Sequence, residues 1–265
     1  MKSYKLFILD LDGTMYRGSE KIEEAPQFIK ELDLKGQEYI FLTNNSTKTP
    51  QDVVEHLGRF GIRTVPEKVY TTSVLAARFI TQKKERPTVY MIGEEALRQS
   101  LLDAGCKLVD EEQDLAACDF VVMGLDRHVT YEKLAKATLA VNKGAAFIST
   151  NADKALPSER GLVPGNGALT AVVQTATGQK PTYIGKPEPF MLDIILQEKG
   201  LTKADVLMIG DNYETDIMAG IRAGVDTALV FTGFTKADDL KQVNHLPTYQ
   251  WKTLLDAFRE VQVTT

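Results

Sequence analysis

Four short apolar runs in this chain each stop at a polar cluster, and that repeat constrains the fold more than any other feature. Leu6-Phe7-Ile8-Leu9 leads into Asp10-Leu11-Asp12-Gly13-Thr14, and Tyr39-Ile40-Phe41-Leu42 into Thr43-Asn44-Asn45-Ser46. Tyr183-Ile184 leads into Gly185-Lys186-Pro187, and Val206-Leu207-Met208-Ile209 into Gly210-Asp211-Asn212-Tyr213-Glu214-Thr215-Asp216. Short apolar runs alternating with amphipathic segments favour parallel βαβ units. The predicted fold class is α/β, with a doubly wound, Rossmann-like parallel sheet whose ligands bind beyond the strand ends. The polar clusters lie where such ligands bind.

Side chains two apart on a strand share a face, so Asp10 and Asp12 converge if the extended backbone continues to Asp12. Gly13 then allows a turn and close backbone approach, and Thr14 can hydrogen-bond locally. Asp and Gly after a strand are also ordinary turn residues. Three further clusters behind apolar runs shift the reading from turn to chemistry. The pair suits a nucleophile beside a proton donor.

The spacing of the clusters predicts an inserted domain. Asp10 to Thr43 leaves room for one crossover helix, whereas Thr43 to Lys186 far exceeds the roughly 60 residues that two βα units use. Entry falls at the charged stretch Gln82-Lys83-Lys84-Glu85-Arg86-Pro87 and exit at Gly178-Gln179-Lys180-Pro181. The expected organisation is therefore a core of residues 1–82 and 182–265 with an inserted α/β domain over 83–181. Within the core, helices are expected from Ala25, from Thr49 to Phe60, and from an N-capping Ser73, with a third strand over Val69 to Thr71. Within the insert, Thr88 to Ile92, Phe120 to Met123 and Ala146 to Ser149 read as strands. Glu94 to Ala104, Tyr131 to Lys143 and Gly167 to Thr177 read as helices.

Composition narrows the partners. The chain has 265 residues, 43% of them hydrophobic, with a formal charge of −5, which gives no general attraction for nucleic acid or anionic membranes. Only two cysteines occur, Cys106 and Cys118, so a disulfide framework is not expected. With no apolar stretch of membrane-spanning length, about 20 residues, the expected location is cytoplasmic. His56, His128 and His245 are scattered without metal-ligand spacing. Trp251 is expected to anchor the last helix to the core.

The four clusters, in order, resemble the signatures of the haloacid dehalogenase superfamily of phosphotransferases, and within it the NagD-like phosphatases. Ser149-Thr150-Asn151-Ala152-Asp153 and Pro164-Gly165-Asn166-Gly167-Ala168 resemble that subgroup's cap segments. The resemblance implies a phosphoric monoester hydrolase acting on a small-molecule phosphate ester. It implies Asp10 as nucleophile and Asp12 as acid and base, with Thr43, Asn44, Asn45 and Lys186 binding the phosphoryl group. It further implies Mg²⁺ held by Asp10, the backbone carbonyl of Asp12 and Asp211, with Asp216 supporting that shell from behind. Asp216 also reads as a helix N-cap ahead of Ile217. Asn151, Asp153, Asp126 and Arg127 are the expected specificity residues of the cap.

Elementary electrostatics points the same way. Two carboxylates about 4 Å apart repel by roughly 4 kcal/mol at an effective dielectric of 20, so Asp10 and Asp211 brought together call for a cation. Oxygen ligands and a phosphate substrate suit Mg²⁺. A dehalogenase shares the aspartate nucleophile but needs neither the cation nor an acid for an alkoxide. Phosphomutases of this resemblance usually carry a helical cap between the first two motifs, where the interval from Asp10 to Thr43 leaves room for one crossover helix only. A silent sensor of phosphorylated metabolites would not need intact Asp10, Asp12, Lys186 and Asp211. The expected substrates are sugar or sugar-acid phosphates, with nucleotide and pyridoxal phosphates as alternatives.

Overall fold

The computed structural model describes residues 1–158 and 160–263. The chain forms two compact units, one of Met1–Thr43, Pro50–Tyr70 and Lys186–Thr265, the other of Asn44–Thr49 and Thr71–Gly185. The sequence places the insert at 83–181; the second unit also takes in 44–49, 71–82 and 182–185. The helix Thr72–Lys83, which spacing alone assigns to the core, thus belongs to the second unit.

The first unit is built on a six-stranded sheet in the spatial order Tyr249–Trp251, Asp226–Val230, Val206–Gly210, Leu6–Leu9, Glu38–Thr43 and Val69–Thr71. Numbered along the chain this is the doubly wound order 3-2-1-4-5-6, so the sequence direction reverses between Leu6–Leu9 and Val206–Gly210. Those two strands pair in parallel with Leu9 opposite Ile209. Asp10 and Asp211 are therefore the residues that leave the sheet at its switch point.

Both faces of the central strands are buried, which is why they read as continuous apolar runs instead of alternating ones. Phe7, Leu9, Tyr39, Phe41, Leu207 and Ile209 join one core with Phe28, Ile29 and Leu32 of the helix Ala25–Leu34 and with Val53 and Leu57 of Pro50–Arg59. Ile8, Ile40 and Met208 alternate to the other face and are equally buried. Pro26 sits in the first turn of its helix, where a missing N–H costs nothing. Trp251 is fully buried, and its indole N–H donates to Glu260 of the helix Ala257–Glu260 at 3.1 Å, as its expected anchoring role requires.

The second unit has its own five-stranded parallel sheet, ordered Thr182–Tyr183, Ala146–Ser149, Phe120–Met123, Thr88–Ile92 and Lys107–Leu108. Tyr90, Ile92, Val121, Met123 and Phe147 form its core with Ala137 of Tyr131–Asn142 and Val173 of Asn166–Thr177. The expected cap at Ser73 is corrected. Thr71 accepts the N-terminal bond, from Val74 N–H at 3.4 Å, while the Ser73 hydroxyl donates to the Ser46 carbonyl at 2.8 Å. Among the described residues no helix is long and apolar enough to cross a membrane.

Two stability outcomes follow. Trp251→Ala should cost about 3–5 kcal/mol in denaturant unfolding, the range for emptying a large aromatic site, and Glu260→Gln far less. Asp226 accepts from Lys2 and from the Tyr4 hydroxyl, each at 2.5 Å. Burial opposes its charge, but these donors outweigh it and hold the carboxyl below its ordinary value. A depressed carboxyl stabilises the fold above its unfolded pKa, about 3.9, and that contribution vanishes as pH falls through the folded value. Asp226→Asn should therefore flatten the acid side of the unfolding midpoint against pH while leaving its slope above pH 6 unchanged.

Candidate active site

Lys186 brings the site together. Its side chain is 3% exposed, and its ammonium donates to Asp10 Oδ1 at 2.5 Å, Asp216 Oδ1 at 2.6 Å and the Leu42 carbonyl at 3.4 Å. It thereby links the ends of three neighbouring strands, Leu6–Leu9, Glu38–Thr43 and Val206–Gly210. Burial disfavours the ammonium, but Asp10 and Asp216 outweigh that cost and hold its pKa well above the ordinary lysine range.

Asp10, Asp211 and Asp216 are all buried, and each offers a carboxylate oxygen within 4.8 Å of the others. Burial, then the neighbouring Asp10 and Asp216, pushes the Asp211 carboxyl upward. Asp216 is raised by burial and by Asp10, against the pull of Lys186. Ionising all three carboxylates against one ammonium would leave an excess of two negative charges in a site nearly closed to water, and it is this cost that raises Asp211 and Asp216. An all-oxygen donor set with that deficit fits a hard divalent cation.

The remaining oxygens show how each carboxylate is held. Thr14, fully buried, places its hydroxyl 3.3 Å from Asp10 Oδ2 and 3.4 Å from Asp211 Oδ1. Asp211 Oδ2 accepts the Phe234 N–H at 2.6 Å. Asp216 gives its second oxygen to the Asn212 N–H at 3.1 Å. The N-cap reading of Asp216 is corrected, because Asn212 caps this turn, accepting from Glu214 N–H at 3.0 Å, and Asp216 lies within the π-helical turn Tyr213–Ile217. Gly210 faces Asp216 so closely that a Cβ there would lie 2.3 Å from its carboxylate.

The other expected residues are placed as follows. Asp12 is exposed, and its carboxylate accepts the Gly18 N–H at 3.2 Å. Thr43 closes the strand Glu38–Thr43, and Asn44 follows it directly. Gly185 lies against the Asn44 side chain, where a Cβ would meet Asn44 Oδ1 at 2.7 Å, so only glycine lets Asn44 sit beside the residue preceding Lys186. Asn45 is exposed and its side chain closes a turn, accepting from Thr47 N–H at 2.7 Å.

In the second unit, buried Asn151 donates to the Asn44 carbonyl at 2.9 Å and accepts the Asp153 N–H at 3.1 Å. Asp126 is buried and accepts from Lys133 at 2.7 Å and His128 N–H at 2.8 Å. Arg127 forms a two-pronged pair with Glu94, at 2.7 and 2.6 Å. Sequence reasoning passed over Thr14 as a local turn bond, and missed the loop from Thr232 to Thr235. The signal for the latter was present: Leu229-Val230-Phe231 is another apolar run closing on a polar, glycine-bearing cluster.

A doubly wound sheet whose switch point gathers three carboxylates round one buried lysine defines an α/β enzyme working through an acidic site. Residues 7–107 match the pattern of haloacid dehalogenase-like hydrolases, and residues 183–257 that of HAD-hydrolase-like proteins. The chain is 50% identical to an acid sugar phosphatase of Staphylococcus haemolyticus over 99% of its length and 98% of the relative's. It is 47% identical to an acid sugar phosphatase of Staphylococcus aureus, over 99% of this chain and all of that one. Among solved structures, a mutant of the thermostable p-nitrophenylphosphatase of Bacillus stearothermophilus is 48% identical, with a TM-score of 0.88 over 97% of this chain and 98% of the other. A p-nitrophenyl phosphatase of Archaeoglobus fulgidus is 31% identical, with a TM-score of 0.89 over 97% and 99%. The chain belongs to the haloacid dehalogenase-like hydrolase family, and these relatives fit the NagD-like branch that its motifs resemble.

Removing the ammonium should expose how much the cluster depends on it. Breaking a buried ion pair on one side costs about 3–5 kcal/mol, so Lys186→Met should lower unfolding stability by that order when no divalent cation is added. Lys186→Met combined with Asp216→Asn should recover part of the loss, since one of the two stranded charges is then gone. Equal stabilities for the three proteins would contradict this electrostatic description.

Proposed function

We propose that the protein is a Mg²⁺-dependent phosphatase of small phosphorylated metabolites, with sugar or acid-sugar phosphates as its substrates. The observation that carries this is the cluster of Asp10, Asp211 and Asp216 around Lys186, in a chain half identical to a protein named acid sugar phosphatase. Asp10 and Asp211, with the Asp12 carbonyl, would hold Mg²⁺, and Asp216 braces Lys186 from behind. Bound there, the ion would supply positive charge against the phosphoryl oxygens and the Asp10 nucleophile.

In this reading an Asp10 carboxylate oxygen attacks phosphorus, forming a P–O bond to Asp10 as the ester P–O bond breaks. Asp12 gives its proton to the departing alkoxide. Water then attacks the phosphorus of the aspartyl-phosphate, Asp12 takes the water's proton, and inorganic phosphate leaves as Asp10 is regenerated. Thr43, Asn44 and Asn45 supply donors to the phosphoryl oxygens, and Lys186 a fixed positive charge. The second unit acts as a cap that selects the leaving group, with Asn151, Asp153, Asp126 and Arg127 as its selecting residues. Asn151 carries that role through the Asn44 carbonyl it already holds. Nucleotide and pyridoxal phosphates are the competing substrates.

A panel of phosphate monoesters, assayed for released phosphate with Mg²⁺ and with a chelator, tests the proposal. Turnover should be fastest on sugar or sugar-acid phosphates and should disappear with the chelator. Asp10→Asn should lose at least about 10³-fold in kcat, the scale of losing a covalent nucleophile, with an unchanged circular dichroism spectrum. Metal-independent turnover, or full activity of Asp10→Asn, would sink the mechanism; faster turnover of nucleotide or pyridoxal phosphates would replace the substrate class.

A further inference from the structure

Asp211 sits in a slot that has no room for any side chain but its own. A Cβ on Gly13 would fall 2.2 Å from Asp211 Oδ2, and one on Gly233 would fall 2.0 Å from the same oxygen. Gly13 has φ +89°, where glycine is required by its backbone; Gly233 does not lie in that region, so the neighbouring carboxylate is what excludes a side chain there.

The loop carrying Gly233 is tied down bond by bond around this one carboxylate. Phe234 N–H donates to Asp211 Oδ2 at 2.6 Å, and Thr235 N–H to the Asp211 carbonyl at 3.1 Å. The Thr232 hydroxyl donates to the Gly13 carbonyl at 2.7 Å, fixing the opposite wall of the slot. Arg17 Nε donates to the Thr232 carbonyl, and Lys236 Nζ to the Gly233 carbonyl at 2.7 Å. The Phe234 side chain, in contrast, is 73% exposed. A loop held this closely through its backbone while its largest side chain stands in solvent is organised for what its main chain holds.

We propose that Thr232, Gly233 and the main-chain N–H of Phe234 are positioning groups for Asp211. They fix one carboxylate oxygen against the loop, so that the other stays directed toward Thr14 and the cation. This inference rests on the reading of Asp211 as a Mg²⁺ ligand. Groups that orient a ligand without touching the metal typically set about 10–100-fold in metal affinity.

Calorimetric titration of the full-length protein with Mg²⁺ alone tests it, alongside kcat at saturating Mg²⁺. Gly233→Ala should weaken Mg²⁺ binding by about 10-fold or more. Its kcat should return to within about threefold of wild type once Mg²⁺ saturates, a split that general damage to the fold would not produce. Phe234→Ala keeps the N–H and should bind Mg²⁺ as the wild type does. Thr232→Val, which removes the bond to the Gly13 carbonyl and no bond to Asp211, should weaken binding severalfold and lower the unfolding midpoint, as the loss of a buried hydrogen bond does, while kcat at saturating Mg²⁺ stays near wild type. It decides the matter if Gly233→Ala fails to fold. Wild-type affinity in Gly233→Ala or in Thr232→Val, or equal weakening by Phe234→Ala, would overturn the inference alone. No Mg²⁺ binding by the wild type would overturn the metal reading and this inference with it.

Discussion

Everything in the first unit converges on one buried ammonium. Lys186 is separated from Asp10 by 176 positions, yet its Nζ lies between Asp10 and Asp216 and reaches the Leu42 carbonyl. A lysine so buried survives only because its charge is answered at close range. The same contacts orient Asp10 through one oxygen, leaving Oδ2 beside the Thr14 hydroxyl. In the proposed mechanism stability and chemistry share these atoms: the charge that holds the strand ends together would also cancel part of the repulsion a phosphate ester meets at a carboxylate.

Topology explains why the convergence occurs there. In the order 3-2-1-4-5-6 the chain leaves Leu6–Leu9 and Val206–Gly210 toward opposite sides of the sheet, which opens a crevice beyond their carboxyl ends. Register puts Leu9 beside Ile209, so Asp10 and Asp211 emerge at the same level. Glycines then set the distances of approach. Gly13 and Gly233 leave space for Asp211, Gly210 for Asp216, and Gly185 for Asn44. The site is defined as much by side chains that are absent as by those that line it.

The parts legible in the sequence are those with one dominant physical cause. Strands buried on both faces announce themselves as apolar runs, and Thr88–Ile92, Phe120–Met123 and Ala146–Ser149 fall where those runs begin and end. The ordered clusters disclosed Asp10, Lys186, Asp211 and Asp216, because charged groups directly behind buried strands have few structural reasons to be there. Features set by tertiary competition stayed hidden. Lys107–Leu108 and Thr182–Tyr183 are two residues each and exist only by pairing with a longer neighbour. Thr71 and Ser73 are both capable N-caps, and the Ser46 carbonyl takes the serine. Asp216 resembled a cap because local sequence does not reveal a lysine arriving from the far side of the fold. At the loop around Gly233 the apolar run Leu229-Val230-Phe231 marks the place, but the donors are backbone groups, so no residue type there points to Asp211.

Asp10 is the proposed nucleophile toward phosphorus, held for that role by Lys186. Quenching turnover in acid and reducing with tritiated borohydride marks an acyl phosphate at the carboxyl that carried it. The account predicts that tritium enters the peptide spanning Leu6 to Arg17, at Asp10, only when substrate and Mg²⁺ are both present. Continued phosphate release with no label at Asp10, or with label on another residue, would contradict it.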